Sequence, residues 1–432
     1  MNRFIALAVL AMTSASSAEE SRDYLEEAFA EIEPKVIEWR RDIHEHPELS
    51  NREFRTAELV AEHLRSLGFD EVETGIAHTG VVGTLKGGKP GPVVALRADM
   101  DGLPVEEQTG LPFASTARGE YKGEEVYVMH ACGHDTHVAM LMGAAEVLAK
   151  HREELAGTVK FIFQPAEEGA PPGEEGGAEL MLREGVLDGP DAPEAILGLH
   201  AWPVETGTLN YRAGSFMAAA DSFDITIEGV QTHGSAPWRG ADPIYVAGQI
   251  MVALQGIPGR FLDITKGPAV ITVGSIHGGV RGNIIPDRVE MSGTIRTFDA
   301  GEREVLLARL RDTVEGLADA AGATATIEIT GSVPVTGNDP DLLAAMMPTL
   351  NWAAGEDKVR EHALITGAED YSYFQEKIPG LYLMLGVNDP GVPAGASPAN
   401  HSPFFSPNEA ALITGVRALV GFAMYYHAVG GT

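Results

Sequence analysis

One change of rhythm limits what this chain can fold into. From Asp221 to Thr330 the order is strand, helix, strand, strand, helix, strand. The segments are Asp221 to Glu228, Pro243 to Leu254, Ala269 to Ile276, Arg288 to Thr297, Glu302 to Ala321 and Thr324 to Thr330. Asp221 to Glu228 alternates apolar and polar residues, as a half-exposed strand does. The order is that of a split βαβ, ferredoxin-like unit. On either side, short apolar strands alternate with helices, which is the pattern of an α/β layered domain. Pro92 to Arg97 lacks alternation, as a strand buried on both faces does. Thr79 to Leu85, Thr158 to Gln164, Ala195 to His200 and Leu381 to Leu385 read as its companions. Helices are expected over Ser21 to Arg41, kinked or split at Pro34, over Thr56 to Leu67, and over Thr136 to His151 with Asp135 as N-cap. The expected architecture is therefore α/β. A layered domain with a central mixed sheet, residues 19–215 and 333–432, is interrupted by an α+β ferredoxin-like domain, residues 216–332.

The 432 residues leave room for two or three domains at roughly 150 residues each. Met1 to Ala18 reads as a secretory signal peptide. Arg3 is the positive n-region, Phe4 to Met12 the apolar h-region, and Ser16-Ser17-Ala18 the small residues before the cut. The mature protein is then expected to be exported, periplasmic or secreted. No later stretch offers about 18 uncharged apolar residues, so the chain is not expected to be membrane-embedded. Cys132 is the lone cysteine, which excludes an internal disulfide. Thirty-one Lys+Arg stand against 62 Asp+Glu, a formal charge of −31. A surface so acidic repels phosphate backbones and excludes nucleic acid as a partner. High solubility and a salty medium, where screening weakens self-repulsion, both accommodate it.

Chemistry-bearing residues gather mostly just after predicted strands, where open α/β sheets place their sites. Cys132 and His134 flank a glycine before a helix, so thiolate and imidazole can face one metal ion; the bland alternative is a buried thiol beside a hydrogen-bonded histidine. Glu167 and Glu168 follow a strand as adjacent carboxylates, costly unless cations are near, or else a solvated acidic turn. His200 ends an apolar strand and would otherwise be a satisfied core histidine. His401 lies on a loop and would otherwise be a surface histidine. Asp99, after another strand, is placed to orient a ligating histidine and is counted with the catalytic residues; its alternative is a strand-end cap. Taken together, Cys132, His134, Glu168, His200 and His401 are too many donors for one tetrahedral zinc. They suit two metals about 3.5–4 Å apart that share a bridging water, with Glu167 left as general base.

In order along the chain stand RRDIHEHPELS, ALRADMDGLPV, MHACGHDTHVAML, FQPAEEG, LGLHAWP, THGSAP, GNIIPD, GAEDYSYF and NHSPFF. On these motifs the sequence resembles the M20 metallopeptidases, in their amidohydrolase branch of aminoacylase-, hippurate-hydrolase- and auxin-conjugate-hydrolase-like enzymes. The resemblance runs from about Arg40 to the C-terminus. It implies that Cys132, His134, Glu168, His200 and His401 are metal ligands and Glu167 the catalytic carboxylate. It implies that the inserted domain is a lid through which a homodimer forms, with His233 approaching the partner's active site. It places Asn283 and Arg296 near the substrate carboxylate and Glu369 near the metals, in a role left open. The expected cofactors are two divalent ions, zinc or manganese first, with nickel or cobalt as competitors. The expected reaction is hydrolysis of N-acyl amino acids. A carboxypeptidase or dipeptidase is the alternative among enzymes, and a non-catalytic exported binding protein the alternative outside them. Two features depart from the family: many relatives are cytosolic, and the Gly169–Gly177 loop looks longer than in many of them.

Overall fold

The computed structural model describes residues 2–393 and 395–428, with side chains from Tyr24 onward apart from Ala394. The expected leader, Met1 to Ala18, lies outside the residues whose side chains are described. Contacts divide the chain into two compact units: Met1–Tyr211 with Asn338–His362 and Phe374–Thr432, and Arg212–Gly337 with Ala363–Tyr373. The second unit thus recovers a short segment from well beyond position 333.

The first unit is built on an eight-stranded mixed sheet. Its strands lie in the order Glu71–Ile76, Gly80–Lys86, Ala156–Gln164, Lys89–Asp99, Ala195–Glu205, Gly380–Asn388, Leu209–Tyr211 and Val359–Glu361. Lys89–Asp99 runs parallel to both neighbours, and from Val94 onward every residue is buried. That explains its unbroken apolar run. The helices Asn2–Glu45, His134–Lys150 and Leu412–Tyr425 belong to the same core. A Cβ at Gly143 would stand 2.6 Å from Val36, so glycine is what lets the first two of these helices approach.

Pro34 neither splits nor ends the helix Asn2–Glu45. One lost backbone hydrogen bond is outweighed by the buried stripe Leu25, Phe29, Ile32, Val36 and Ile43. Asp135 is not an N-cap. Gly133, at φ +98°, holds that position, which frees Asp135 to turn inward. Its Oδ2 accepts from Arg40 Nε at 2.8 Å and lies 2.9 Å from His44 Nδ1. His44 Nε2 lies 3.1 Å from Glu107 Oε1. Arg40, His44 and Asp135 are all buried.

The second unit carries a four-stranded antiparallel sheet in the order Val270–Gly278, Arg288–Thr297, Ala219–Glu228, Thr324–Val333. Helices Pro243–Leu254 and Ala300–Ala320 share its core. This is the split βαβ arrangement. Asp242 and Asp299 cap the two helices, accepting from Ile244 and Tyr245 N–H and from Glu302 N–H respectively. Among the described residues, no helix is long and apolar enough to cross a membrane.

Candidate metal centre

The candidate site forms in the first unit, at the carboxyl ends of three parallel strands. The strand Lys89–Asp99 delivers Asp99 and, two residues on, Asp101. Ala156–Gln164 leads into Glu167 and Glu168. Ala195–Glu205 carries His200, which it overruns by five residues rather than ending there. Cys132 and His134 come from the turn that opens the helix His134–Lys150.

The donor atoms converge. Those of Cys132, His134 and His200 lie within 4.8 Å of one another, as do those of Cys132, Glu168 and His401, and those of His134, Glu167 and Glu168. Two three-donor sets therefore meet at the Cys132 sulfur. His200 Nε2 is 3.4 Å from that sulfur, His401 Nε2 is 3.0 Å from Glu168 Oε1, and Glu167 Oε2 is 3.8 Å from His134 Nε2.

Carbonyl groups fix the tautomers, because a carbonyl can only accept. His134 Nδ1–H donates to the Asp101 carbonyl at 2.8 Å, and His200 Nδ1–H donates to the Ala201 carbonyl at 2.8 Å. Both Nε2 atoms are thereby aimed into the cluster, where they could serve a metal ion. His134 Nε2 is buried and makes no hydrogen bond, a cost of about 1–3 kcal/mol if nothing binds there. Thiol, imidazoles and carboxylate form a donor set of the kind that zinc and its first-row neighbours take. The residues present therefore fit a pair of divalent ions.

The local field also calls for positive charge. Burial alone would lower the pKa of His134, but the Asp99, Asp101 and Glu168 carboxylates outweigh it and push it up to about 10. Burial raises the Cys132 thiol well above its ordinary range, and Glu168, Glu167 and Asp99 push the same way.

Asp99 does not steer a ligand in the way expected. Its Oδ1 pairs with His137 Nδ1 at 2.5 Å, its Oδ2 accepts from Arg97 at 2.6 Å, and it stands 3.8 Å from His134 Nε2. The residue that orients His134 is Asp101. Sequence reasoning missed it because Asp101 lies beyond the strand, where alternation gives no face. His137 was missed as well. It lies one helical turn after His134, on the same face, and its Nε2 accepts from the Ala201 N–H at 2.8 Å. Asn400, a third omission, donates to the Cys132 and Ala201 carbonyls at 2.9 and 3.1 Å. It thereby ties down the loop that carries His401, itself at φ +70°.

A cavity of about 590 Å3 opens beside Glu168, with Leu103, Pro104, Tyr121, Lys122, Pro171 and Pro172 in its lining. Part of its wall is a hairpin, Arg118–Tyr121 with Glu124–Tyr127, not expected from the sequence. Its two-residue turn, Lys122-Gly123, has φ +54° and +82°, the left-handed pair that a tight hairpin requires.

The remaining expected site residues belong to the second unit. His233 is exposed and its Nδ1 accepts from the Ser235 N–H at 3.0 Å. The Asn283 carbonyl accepts from Gly234 N–H at 2.8 Å. Arg296 lies in the sheet and donates to the Ile295 carbonyl at 2.8 Å. Glu369 is buried, and its Oε1 accepts from the Tyr371 N–H at 3.1 Å.

Residues 95–425 match the family described as peptidase family M20/M25/M40. The chain is 43% identical over 393 residues to thermostable carboxypeptidase 1 of Saccharolobus solfataricus, covering 90% of this chain and 94% of that one. It is 38% identical over 379 residues to N-acetylcysteine deacetylase of Bacillus subtilis, covering 88% and 93%. A solved Bacillus subtilis structure, described as a dinuclear metal-binding peptidase of the M20 family, superposes with a TM-score of 0.76. Its identity is 35%, over 93% of this chain and 99% of that one.

Proposed function

The chain belongs to peptidase family M20/M25/M40, a membership that makes it a hydrolase, and from that premise we propose that it cleaves the amide bond of N-acyl amino acids to a carboxylic acid and an amino acid. The observation that carries the reading is the pairing of Glu167 with Glu168 at one convergent donor set, beside a cavity of about 590 Å3. A cavity of that size suits a small ligand. Cys132, His134, Glu168, His200 and His401 would hold two divalent ions, with zinc favoured by the thiolate and imidazoles and manganese admitted by the carboxylate. When bound, such ions polarise a carbonyl and lower the pKa of water. Glu167 takes the proton of the attacking water and hands it to the departing amine. Asp101 and Ala201 keep the imidazoles aimed, and the cavity receives the acyl group.

A second reading, a carboxypeptidase or dipeptidase, is favoured by the kinship to thermostable carboxypeptidase 1. A screen of N-acyl amino acids against free di- and tripeptides, in the presence of zinc or manganese, separates the two. Faster hydrolysis of the N-acyl series is expected. Cleavage of peptides alone would transfer the assignment to the second reading.

The proposal extends to a homodimer formed through the second unit. There Trp238, Val252 and Val280 are exposed at 77%, 77% and 90%, apolar side chains that a second copy would cover. The edge strand Val270–Gly278 of its sheet is open to pairing. In such a dimer His233 donates to the developing oxyanion of the partner's site, and loss of one donor of that kind costs about 10²–10³ in rate. His233→Ala should therefore bind metal normally and turn over poorly. Mixed with Glu167→Gln, it should recover part of the activity, because a mixed dimer assembles one intact site. No recovery despite subunit exchange would remove His233 from the partner's chemistry. Export belongs to the same proposal, supported by the pattern of Met1 to Ala18.

A further inference from the structure

After the strand Ala156–Gln164 the chain turns sharply to present Glu167 and Glu168. The corner is Ala166, a buried non-glycine residue at φ +54°. That conformation is disfavoured for an L-residue and persists only where the surroundings over-determine it. Here three consecutive amides are each claimed by a carboxylate oxygen. The Ala166 N–H donates to Glu53 Oε1, the Glu167 N–H to Asp101 Oδ1 and the Glu168 N–H to Asp101 Oδ2, all at 3.0 Å. The two acceptors are themselves fixed. Thr79 Oγ1–H donates to Glu53 Oε2 at 2.5 Å, and Ser50 Oγ–H donates to Asp101 Oδ2 at 2.9 Å. Glu53 is fully buried and immediately precedes the helix Phe54–Ser66, Thr79 precedes the strand Gly80–Lys86, and Asp101 follows Lys89–Asp99. Three separate elements thus converge on one turn. A glutamate buried close to another carboxylate is expensive for folding alone. A turn that must bring two adjacent carboxylates to one donor set gives that cost a purpose.

We propose that Glu53 is a positioning residue of the metal centre: by holding the Ala166 amide it keeps the corner in its left-handed state and so sets where the Glu167 and Glu168 carboxylates point. The proposal rests on the roles given above to those two residues. Asp101 cannot do this alone, because it takes only the two amides after the corner. Glutamine at position 53 can replace the glutamate, accepting from Ala166 N–H through Oε1 and donating from Nε2 to Thr79 Oγ1.

The test compares Glu53→Ala, Glu53→Gln and Thr79→Val with the wild type. Three quantities are read: calorimetric titration of chelated protein with zinc, kcat and KM on an N-acyl amino acid, and the thermal midpoint. Glu53→Ala should weaken zinc binding by about 10–100-fold, the usual effect of removing a partner behind a ligand. Its kcat should fall by about 10²-fold as Glu167 is misplaced, with KM little changed. Glu53→Gln should restore both. If Glu53→Ala fails to fold, Thr79→Val carries the test, with a loss of roughly fivefold in kcat, the worth of one hydrogen bond. Wild-type zinc affinity and kcat in folded Glu53→Ala would overturn the proposal. So would Glu53→Gln as impaired as Glu53→Ala, or an unaffected Thr79→Val where Glu53→Ala does not fold. If the wild type hydrolyses no N-acyl amino acid, the functional reading falls, while the zinc titration still judges Glu53.

Discussion

Glu167→Gln should bind metal as the wild type does and lose turnover by about 10²-fold or more. Glutamine keeps the side-chain shape and the backbone N–H that donates to Asp101 Oδ1 at 3.0 Å, so the turn that carries Glu168 is undisturbed. What disappears is the group proposed to accept a proton from water and return it to the leaving amine. Metal content by mass spectrometry and kcat on one N-acyl amino acid check the two halves separately. A near-normal rate would mean that another base serves. Loss of metal together with activity would mean that residue 167 is itself a ligand.

Arg40→Ala should destabilise the protein by about 3–5 kcal/mol, the typical cost of stranding one partner of a buried ion pair. Arg40 Nε donates to Asp135 Oδ2 at 2.8 Å and its Nη1 donates to Glu409 Oε1 at 3.2 Å. The Arg40 and Asp135 side chains are 1% and 0% exposed. Burial pushes the Asp135 carboxyl up, but Arg40 and His44 more than reverse this and hold it well below the usual carboxylate range. Without the guanidinium, the carboxylate would lose its largest favourable charge while staying buried. The effect should reach the metal centre too, since Asp135 adjoins His134 in the first turn of its helix. Denaturant unfolding of metal-free protein measures the change. A shift under 1 kcal/mol would mean that solvent or a rearranged neighbour satisfies Asp135.

The donors of the site were legible because their chemistry and their position agree. His200 and Glu168 are polar residues that follow apolar runs, and Cys132 and His134 flank the glycine that precedes a helix. The split βαβ order was equally plain, because each strand and helix of that unit has its own period. What escaped was the scaffold behind the donors. Asp101, Glu53 and Asn400 act through backbone amides and carbonyls of residues far away in sequence, and no local pattern marks such a bond. Asp135 looked like an N-cap by residue type, yet a glycine in the left-handed region displaced it and a salt bridge from another helix claimed its side chain. The helix Pro340–Ala354 carries a start signal of its own. Asp339 accepts from Leu342 N–H at 2.8 Å and Pro340 occupies the first turn, the usual pairing of an acidic cap with a proline at N1. Asn283 and Arg296 rest on kinship, since neither stands out by pattern among the polar residues of the second unit.

In the proposed reaction two divalent ions, held by Cys132, His134, Glu168, His200 and His401, would enable Glu167 to hydrolyse an acyl–amino acid bond. Titration of chelated, metal-free protein with zinc or manganese, with hydrolysis of an N-acyl amino acid as the readout, tests it most directly. Turnover should be absent at the start and rise to a plateau at two equivalents per chain. Full activity in the metal-free protein would contradict it.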